Sequence, residues 1–201
     1  MKSNKYSIQI DNGKIVVNFL TPINKYVAHS FFDILNAPCF NSDMTQLSFF
    51  ASSCEHLSSY LKQSKGGRSL SYNQTNNLIH YLEIQQRFLE RNEHIFYTFN
   101  PDDILIIDNS IFICLSSSYL KTVKNGFILF KSPFEKILCS NEIIEINKLP
   151  AKCSRDSALC SLANLAFFVL FKTEYSSSTS FYLDTIKYTK LYWCLFSTFR
   201  N

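Results

Sequence analysis

Polar and apolar positions alternate along residues 6–20, YSIQIDNGKIVVNFL, on both sides of Asn12-Gly13. That dipeptide accepts the positive backbone angles of a tight turn, so the stretch is predicted as a two-stranded hairpin. The period then changes. Behind Pro22, Val27, Phe31, Ile34 and Leu35 recur at helical spacing over 22–35. MTQLSFF (44–50) reads as a strand and CEHLSSYLKQ (54–63) as a short helix, followed by a linker, SKGGRS (64–69), in which Gly66 and Gly67 break regular structure. The strongest helical pattern is 73–92. Leu78, Tyr81, Leu82, Ile84, Phe88 and Leu89 form its apolar face, and Glu83, Gln85, Gln86, Glu90 and Arg91 are predicted mostly outside. Two short strands, 103–107 and 111–115, flank the turn Asp108-Asn109-Ser110. A serine-rich loop, a strand at 126–130, a buried helix at 156–171 and an amphipathic helix near 181–199 complete the chain. The fold class is therefore α+β, a small β-containing N-terminal part followed by a mainly helical C-terminal part.

Composition narrows this picture. With 46% hydrophobic and only 18% charged residues over 201 positions, the chain is globular and long enough to bury a core. The net charge of +4 comes without a Lys/Arg block, so nucleic acid is not an expected partner. The longest apolar run, 158–171, is shorter than the roughly 20 residues that a membrane span requires, and it predicts a core helix. The first residues lack the apolar stretch of a signal peptide. Seven scattered cysteines, an odd number without a C-x-x-C pair, predict free thiols in a reducing, intracellular setting, cytoplasmic or nuclear. In such a setting the glycosylation-like NQT at 73–75 has no meaning. His29, His56, His80 and His94 have no metal-ligand spacing, and no serine sits in a G-x-S-x-G context.

The order of elements and several short motifs resemble the eukaryotic protein kinase fold across residues 44–172. MTQLSFFASSCEHLSSYLKQ (44–63) is similar to a kinase's fifth strand, hinge and following helix, which places Phe50, Ala51 and Ser52 as hinge candidates for a nucleotide. Helix 73–92 resembles the long helix before the catalytic loop. IFYTFNPDDILIID (95–108) resembles I-H-R-D-L-K-P-x-N-I-L-I-D, KILCSNEI (136–143) the segment closing the activation loop, and SALCSLANLAFFVLF (157–171) the buried helix with the pattern D-x-W-S-L-G. The resemblance implies a small N-terminal lobe (1–50) and a mainly α C-terminal lobe (51–201), both abbreviated.

Carried over position by position, the resemblance implies a degenerate site. Phe96, Tyr97 and Thr98 stand for His-Arg-Asp, and a threonine hydroxyl is too weak a base to take a substrate proton at neutral pH. Asn100 stands for the phosphate-steadying Lys and brings no charge. Asp103 stands for the metal-binding Asn and is the residual metal candidate, whereas Asp102 reads as a solvated turn acid. The D-F-G segment falls near 115–117, yet no Asp or Glu lies between Asp108 and Glu135. The four glycines, 13, 66, 67 and 126, cannot form G-x-G-x-x-G. Lys14 lacks a V-A-I-K context and reads as a solvated strand lysine. Ala158 replaces the bracing Asp of the buried helix, and Glu142 stands for the structural A-P-E Glu, with Arg200 as a possible partner.

The expected function is that of a pseudokinase, an inactive protein-kinase-like domain acting as a protein-binding or regulatory module without a cofactor. The partner's identity is not encoded in any motif. The abbreviated form resembles divergent kinase-like proteins of large DNA viruses, and the Phe/Asn/Ile/Lys-rich usage suits an A+T-rich genome. Two alternatives stand beside it: an active, divergent Ser/Thr kinase or ATP-binding protein that uses Asp103 and a relocated Lys and binds ATP and magnesium weakly, and a structural or assembly protein with no nucleotide role.

Overall fold

The computed structural model describes residues 6–63, 68–187 and the positions 195 and 198. Strands β1 (Tyr6–Asp11) and β2 (Lys14–Phe19) form the predicted hairpin. Asn12 (φ 49°) and Gly13 (φ 78°) both adopt the left-handed conformation, which matches the right-handed twist of the strands they join. β3 (Cys39–Phe40) and β4 (Gln46–Phe50) complete an antiparallel sheet of order β1-β2-β4-β3. Ile15, Val17, Leu47 and Phe49 line its buried face.

The helix expected over 22–35 is much shorter: α1 spans Lys25–His29. The Ser30 hydroxyl donates back to the Val27 carbonyl at 2.6 Å, and the chain continues in tight turns, Phe31 to Ala28 and Phe32 to His29. Serine that bonds its own backbone competes with helix propagation. The apolar positions Val27, Phe31 and Leu35 are buried nonetheless.

The helix expected at 54–63 is also divided. Cys54–His56 form strand β5, which pairs with β7 (Ile104–Ile107), and α2 begins only at Leu57, ending at Lys62. A three-residue segment has no period of its own, and it pairs with the edge of β7 that β8 leaves open. α3 (Tyr72–Arg91) is the predicted long helix, opened by a capping box in which Ser71 and Gln74 bond reciprocally. After β6 (His94–Phe96), strands β7 and β8 (Ile111–Cys114) pair as expected.

A further strand, β9 (Leu120–Lys124), was not predicted. It joins β10 (Phe127–Phe130) across Asn125-Gly126, a turn of the same chemistry as Asn12-Gly13. α4 is short (Asn141–Ile144), β11 spans Ala151–Ser154, and α5 (Asp156–Phe171) is the buried helix. The sheets β5-β7-β8 and β11-β10-β9-β6 make the chain beyond residue 50 more mixed than the mainly helical part that was expected.

α3 lies against α5, as two helices with apolar faces require. Among the described residues, no helix is long and apolar enough to cross a membrane. Of the cysteines, Cys39 is an exposed free thiol, and burial pushes Cys54 and Cys153 up to about 12. Residues 180–186 form a 3-10 helix, whereas most of the rest of the helix expected near 181–199 and most of the linker at 64–69 lie outside the described residues.

Candidate functional site

The segment 95–103 is held from two sides. Gln86 of α3 accepts the Phe96 N–H on Oε1 and donates its Nε2 to the Phe96 carbonyl, both at 2.8 Å. Next to it, Gln85 pairs in the same way with Cys114, at 2.7 and 3.3 Å, and also donates to the Ser30 hydroxyl. Both side chains are buried, which corrects the expectation that they lie outside. A primary amide reproduces the donor and acceptor of a peptide, so each glutamine satisfies main-chain groups that would otherwise be buried unpaired.

From the opposite side the segment 135–140 receives two side chains: the Tyr97 hydroxyl donates to the Glu135 carbonyl at 3.0 Å, and the Thr98 hydroxyl donates to the Ile137 carbonyl. α5 braces that segment in turn, through Ser161 to the Ser140 N–H (3.0 Å) and Asn164 to the Cys139 carbonyl (2.8 Å). Ala158, where the resemblance places a bracing Asp, is buried and apolar.

Thr98 is wholly buried (0% exposed). Its hydroxyl already serves the Ile137 carbonyl, so it neither faces a substrate nor carries a basic charge. Asn100 caps the turn that starts at Pro101, accepting the Asp102 N–H at 3.0 Å. Asp103 is 5% exposed, and one of its carboxylate oxygens accepts the Tyr119 hydroxyl at 2.9 Å. Burial, and then the Asp103 charge, push the Tyr119 hydroxyl well above its ordinary range, so it stays a donor. Asp102 is exposed, as a turn acid should be, and its carbonyl accepts the Tyr6 hydroxyl (2.7 Å) and the His56 Nδ1–H (3.2 Å), whose rings stack at 4.8 Å.

At the hinge candidates, four successive main-chain donors are engaged. Phe50 donates to the Asn36 carbonyl (3.2 Å), and Ala51 donates to the Gly13 carbonyl at the tip of the first hairpin (3.0 Å). Ser52 and Ser53 both donate to Asp108 Oδ1 at 2.8 Å. A base seeking these N–H groups would have to displace a partner from each. Asp108→Ala is expected to lower the melting temperature and accelerate amide exchange at Ser52 and Ser53, with Asp108→Asn milder. Hydrogen exchange followed by mass spectrometry checks this, and unchanged exchange at both positions would remove Asp108 as the hinge clamp.

A cavity of about 90 Å³ lies under the first sheet, lined by Tyr6, Phe19, Pro22, Asp103 and the serines 116–118. Small-molecule sites typically occupy roughly 300–1,000 Å³. Among the described residues no Lys or Arg lines it, and Asp103 makes it acidic, the wrong sign for phosphate. The stretch 115–117 thus brings serines, not a carboxylate, to this wall. Lys14 is exposed at the hairpin turn. A larger groove of about 360 Å³ is lined by Leu61, Leu138 and Phe168, with Lys62, Asp102 and Glu174 among its charged groups.

Glu142 ties the start of α5 to α4, accepting the Ser154 N–H (2.9 Å) and the Ser157 hydroxyl; Arg200 lies outside the described residues. His94 packs on Tyr26, at 4.4 Å between ring centres, and His29 and His80 meet Phe32 and Tyr81. Among the described residues no three His, Cys, Asp or Glu cluster to hold a metal ion. Sequence reasoning missed Tyr6, Gln85, Gln86, Asp108 and Tyr119. Asn125-Gly126 could have revealed β9, and with it Tyr119 beside the loop, but nothing local marks the glutamines as buried.

No protein-family model matches the chain, and no curated protein matches it. Its structure is similar to that of the kinase PK-1 of Cydia pomonella granulovirus, with a TM-score of 0.50 and 12% identity, covering 88% of this chain and 75% of that one. Identity this low speaks for the fold alone. The fold of this chain is kinase-like.

Proposed function

We propose that this chain is a kinase-like domain that transfers no phosphate and acts by binding protein. Residues 1–50 are the reduced N-terminal lobe and 51–201 the C-terminal lobe of one domain. The observation that carries this reading is Thr98, wholly buried and donating to Ile137 at the place of the catalytic base. The engaged hinge donors and the acidic 90 Å³ cavity support it, since phosphoryl transfer relies on metal, cation and base placed together. The working surface is the larger groove. Its apolar side chains beside charges of both signs suit an extended partner segment that carries both apolar and charged residues. The likeness to a viral kinase and the Phe/Asn/Ile/Lys-rich usage support an origin in a large DNA virus, and buried thiols suit an intracellular setting.

A thermal-shift titration with ATP, with and without magnesium, tests the nucleotide part of this reading. A ligand at about 100 times its Kd adds roughly 2.7 kcal/mol, a shift of several degrees for a domain of this size. No magnesium-dependent rise is expected at millimolar ATP. A clear rise would turn Asp103 from a relic into a ligand and overturn the reading.

A further inference from the structure

We infer that Ser177 is a phosphorylation site, modified by an acid-directed Ser/Thr kinase with ATP as the phosphoryl donor. Residues 176–180, Ser-Ser-Ser-Thr-Ser, set five hydroxyl side chains in a row beyond α5. Rings pin both flanks of this loop to that helix. Tyr175 packs on Phe167 and Tyr182 on Phe171, each at 5.3 Å between ring centres. Between these anchors Ser176, Ser177 and Ser178 are exposed.

The hydrogen bonds of the loop single out one of the five hydroxyls. Ser176 and Ser178 bond each other at 2.9 Å. Thr179 Oγ1 accepts the Ser176 N–H and donates to the Glu174 carbonyl, both at 2.8 Å, and the Ser180 hydroxyl donates to the Ser177 carbonyl at 2.9 Å. Among the described residues the Ser177 hydroxyl has no such partner, so its modification breaks no bond of the fold. The bonds around it join exposed groups, for which water substitutes at little cost, and local opening lays the segment along another protein's cleft.

Charge selects the class of enzyme. From Lys172 to Lys187 the intervening chain holds two acids, Glu174 and Asp184, and no Lys, Arg, His or Pro. A kinase that reads basic residues or a following proline finds nothing here. Glu174 stands three residues before Ser177, about 10 Å away in an extended segment. None of the other four hydroxyls has an acid three residues before or after it. In the transfer, Ser177 Oγ bonds to the γ-phosphorus of ATP as the bond to the β–γ bridging oxygen breaks. ADP leaves, and the hydroxyl proton passes to the kinase's catalytic base.

The product carries about −1.5 to −2 charges at neutral pH. It stands three residues from Glu174, which lines the larger groove, and adds to the negative charge there. An acidic occupant is then disfavoured; this consequence alone rests on the protein-binding reading, and the site itself does not.

Incubation of the full chain with ATP, magnesium and casein kinase 1, an acid-directed enzyme, tests the site, with the phosphate located by fragment mass spectrometry. Phosphate is expected on Ser177, with its loss from the loop in Ser177→Ala. Glu174→Gln is expected to slow the modification about fivefold, the upper end for an exposed ion pair. The cAMP-dependent kinase, which reads basic residues, should leave 176–180 unmodified. Both substitutions change exposed side chains, so melting temperatures near that of the unmodified chain are expected. Absence of phosphate from 176–180, phosphate on another residue of the loop instead, or a Ser177 rate indifferent to Glu174→Gln overturns the inference. A control without added kinase separates the two readings: incorporation there overturns the inactive-kinase reading, and the enzyme-dependent phosphate map still decides Ser177.

Discussion

Leu82→Asp is expected to abolish the cooperative thermal transition of this protein. Leu82 is wholly buried on α3, the helix that lies against α5. Truncating such a leucine costs about 2–5 kcal/mol through lost packing and the cavity it leaves. An aspartate adds the cost of a buried polar group without a partner, several kcal/mol more unless the group protonates. Domains of this size are stable by only about 5–15 kcal/mol. The sum removes most or all of that margin. Circular dichroism during heating checks it, with Leu82→Ala as the milder comparison that still melts cooperatively at a lower temperature. A Leu82→Asp protein that melts like the unmodified one would mean that α3 does not pack its Leu82 face into the core.

Placing a carboxylate at residue 98, the position proposed above for the catalytic base, is expected to cost stability without creating activity. In Thr98→Asp the hydroxyl that donates to the Ile137 carbonyl is replaced by a group that only accepts, so two oxygens face each other in a buried site. Leaving a buried acceptor unsatisfied costs about 1–3 kcal/mol, and more for a charged group. General-base catalysis is typically worth about 10²–10⁴-fold, but it acts only with the metal and the charge clamp in place. Thr98→Asp, alone or with Asn100→Lys, should therefore leave transfer of labelled γ-phosphate to generic Ser/Thr substrates undetected in mixed magnesium and manganese. The unmodified protein should be equally inert. Robust transfer by it, abolished by Asp103→Ala, would mean a rearranged active site in working order.

Much of the fold was legible in the chain because its signals are local. Asn12-Gly13 between alternating runs specifies a hairpin whatever lies around it, and Ser71 with Gln74 starts α3 from its own first turn. The apolar density of 156–171 suffices to make α5 a core helix. The site was legible only as a set of replacements. The proposed place of Thr98 at the base position followed from the resemblance of 95–108, but its burial did not. α1 fell short of its periodic stretch because Ser30, polar and buried, turned its hydroxyl back on Val27 and received Gln85 from 55 residues away.

By itself the sequence determined the first hairpin and the helices α3 and α5, since each depends on residues a few positions apart. Tertiary structure alone decided that Gln85 and Gln86 point inward, that Asp108 takes the Ser52 and Ser53 N–H groups and that Tyr6 reaches the Asp102 carbonyl 96 residues away. A buried polar side chain needs a hydrogen-bond partner, and for Gln85 and Gln86 that partner is a main-chain group brought beside them only by the folded chain.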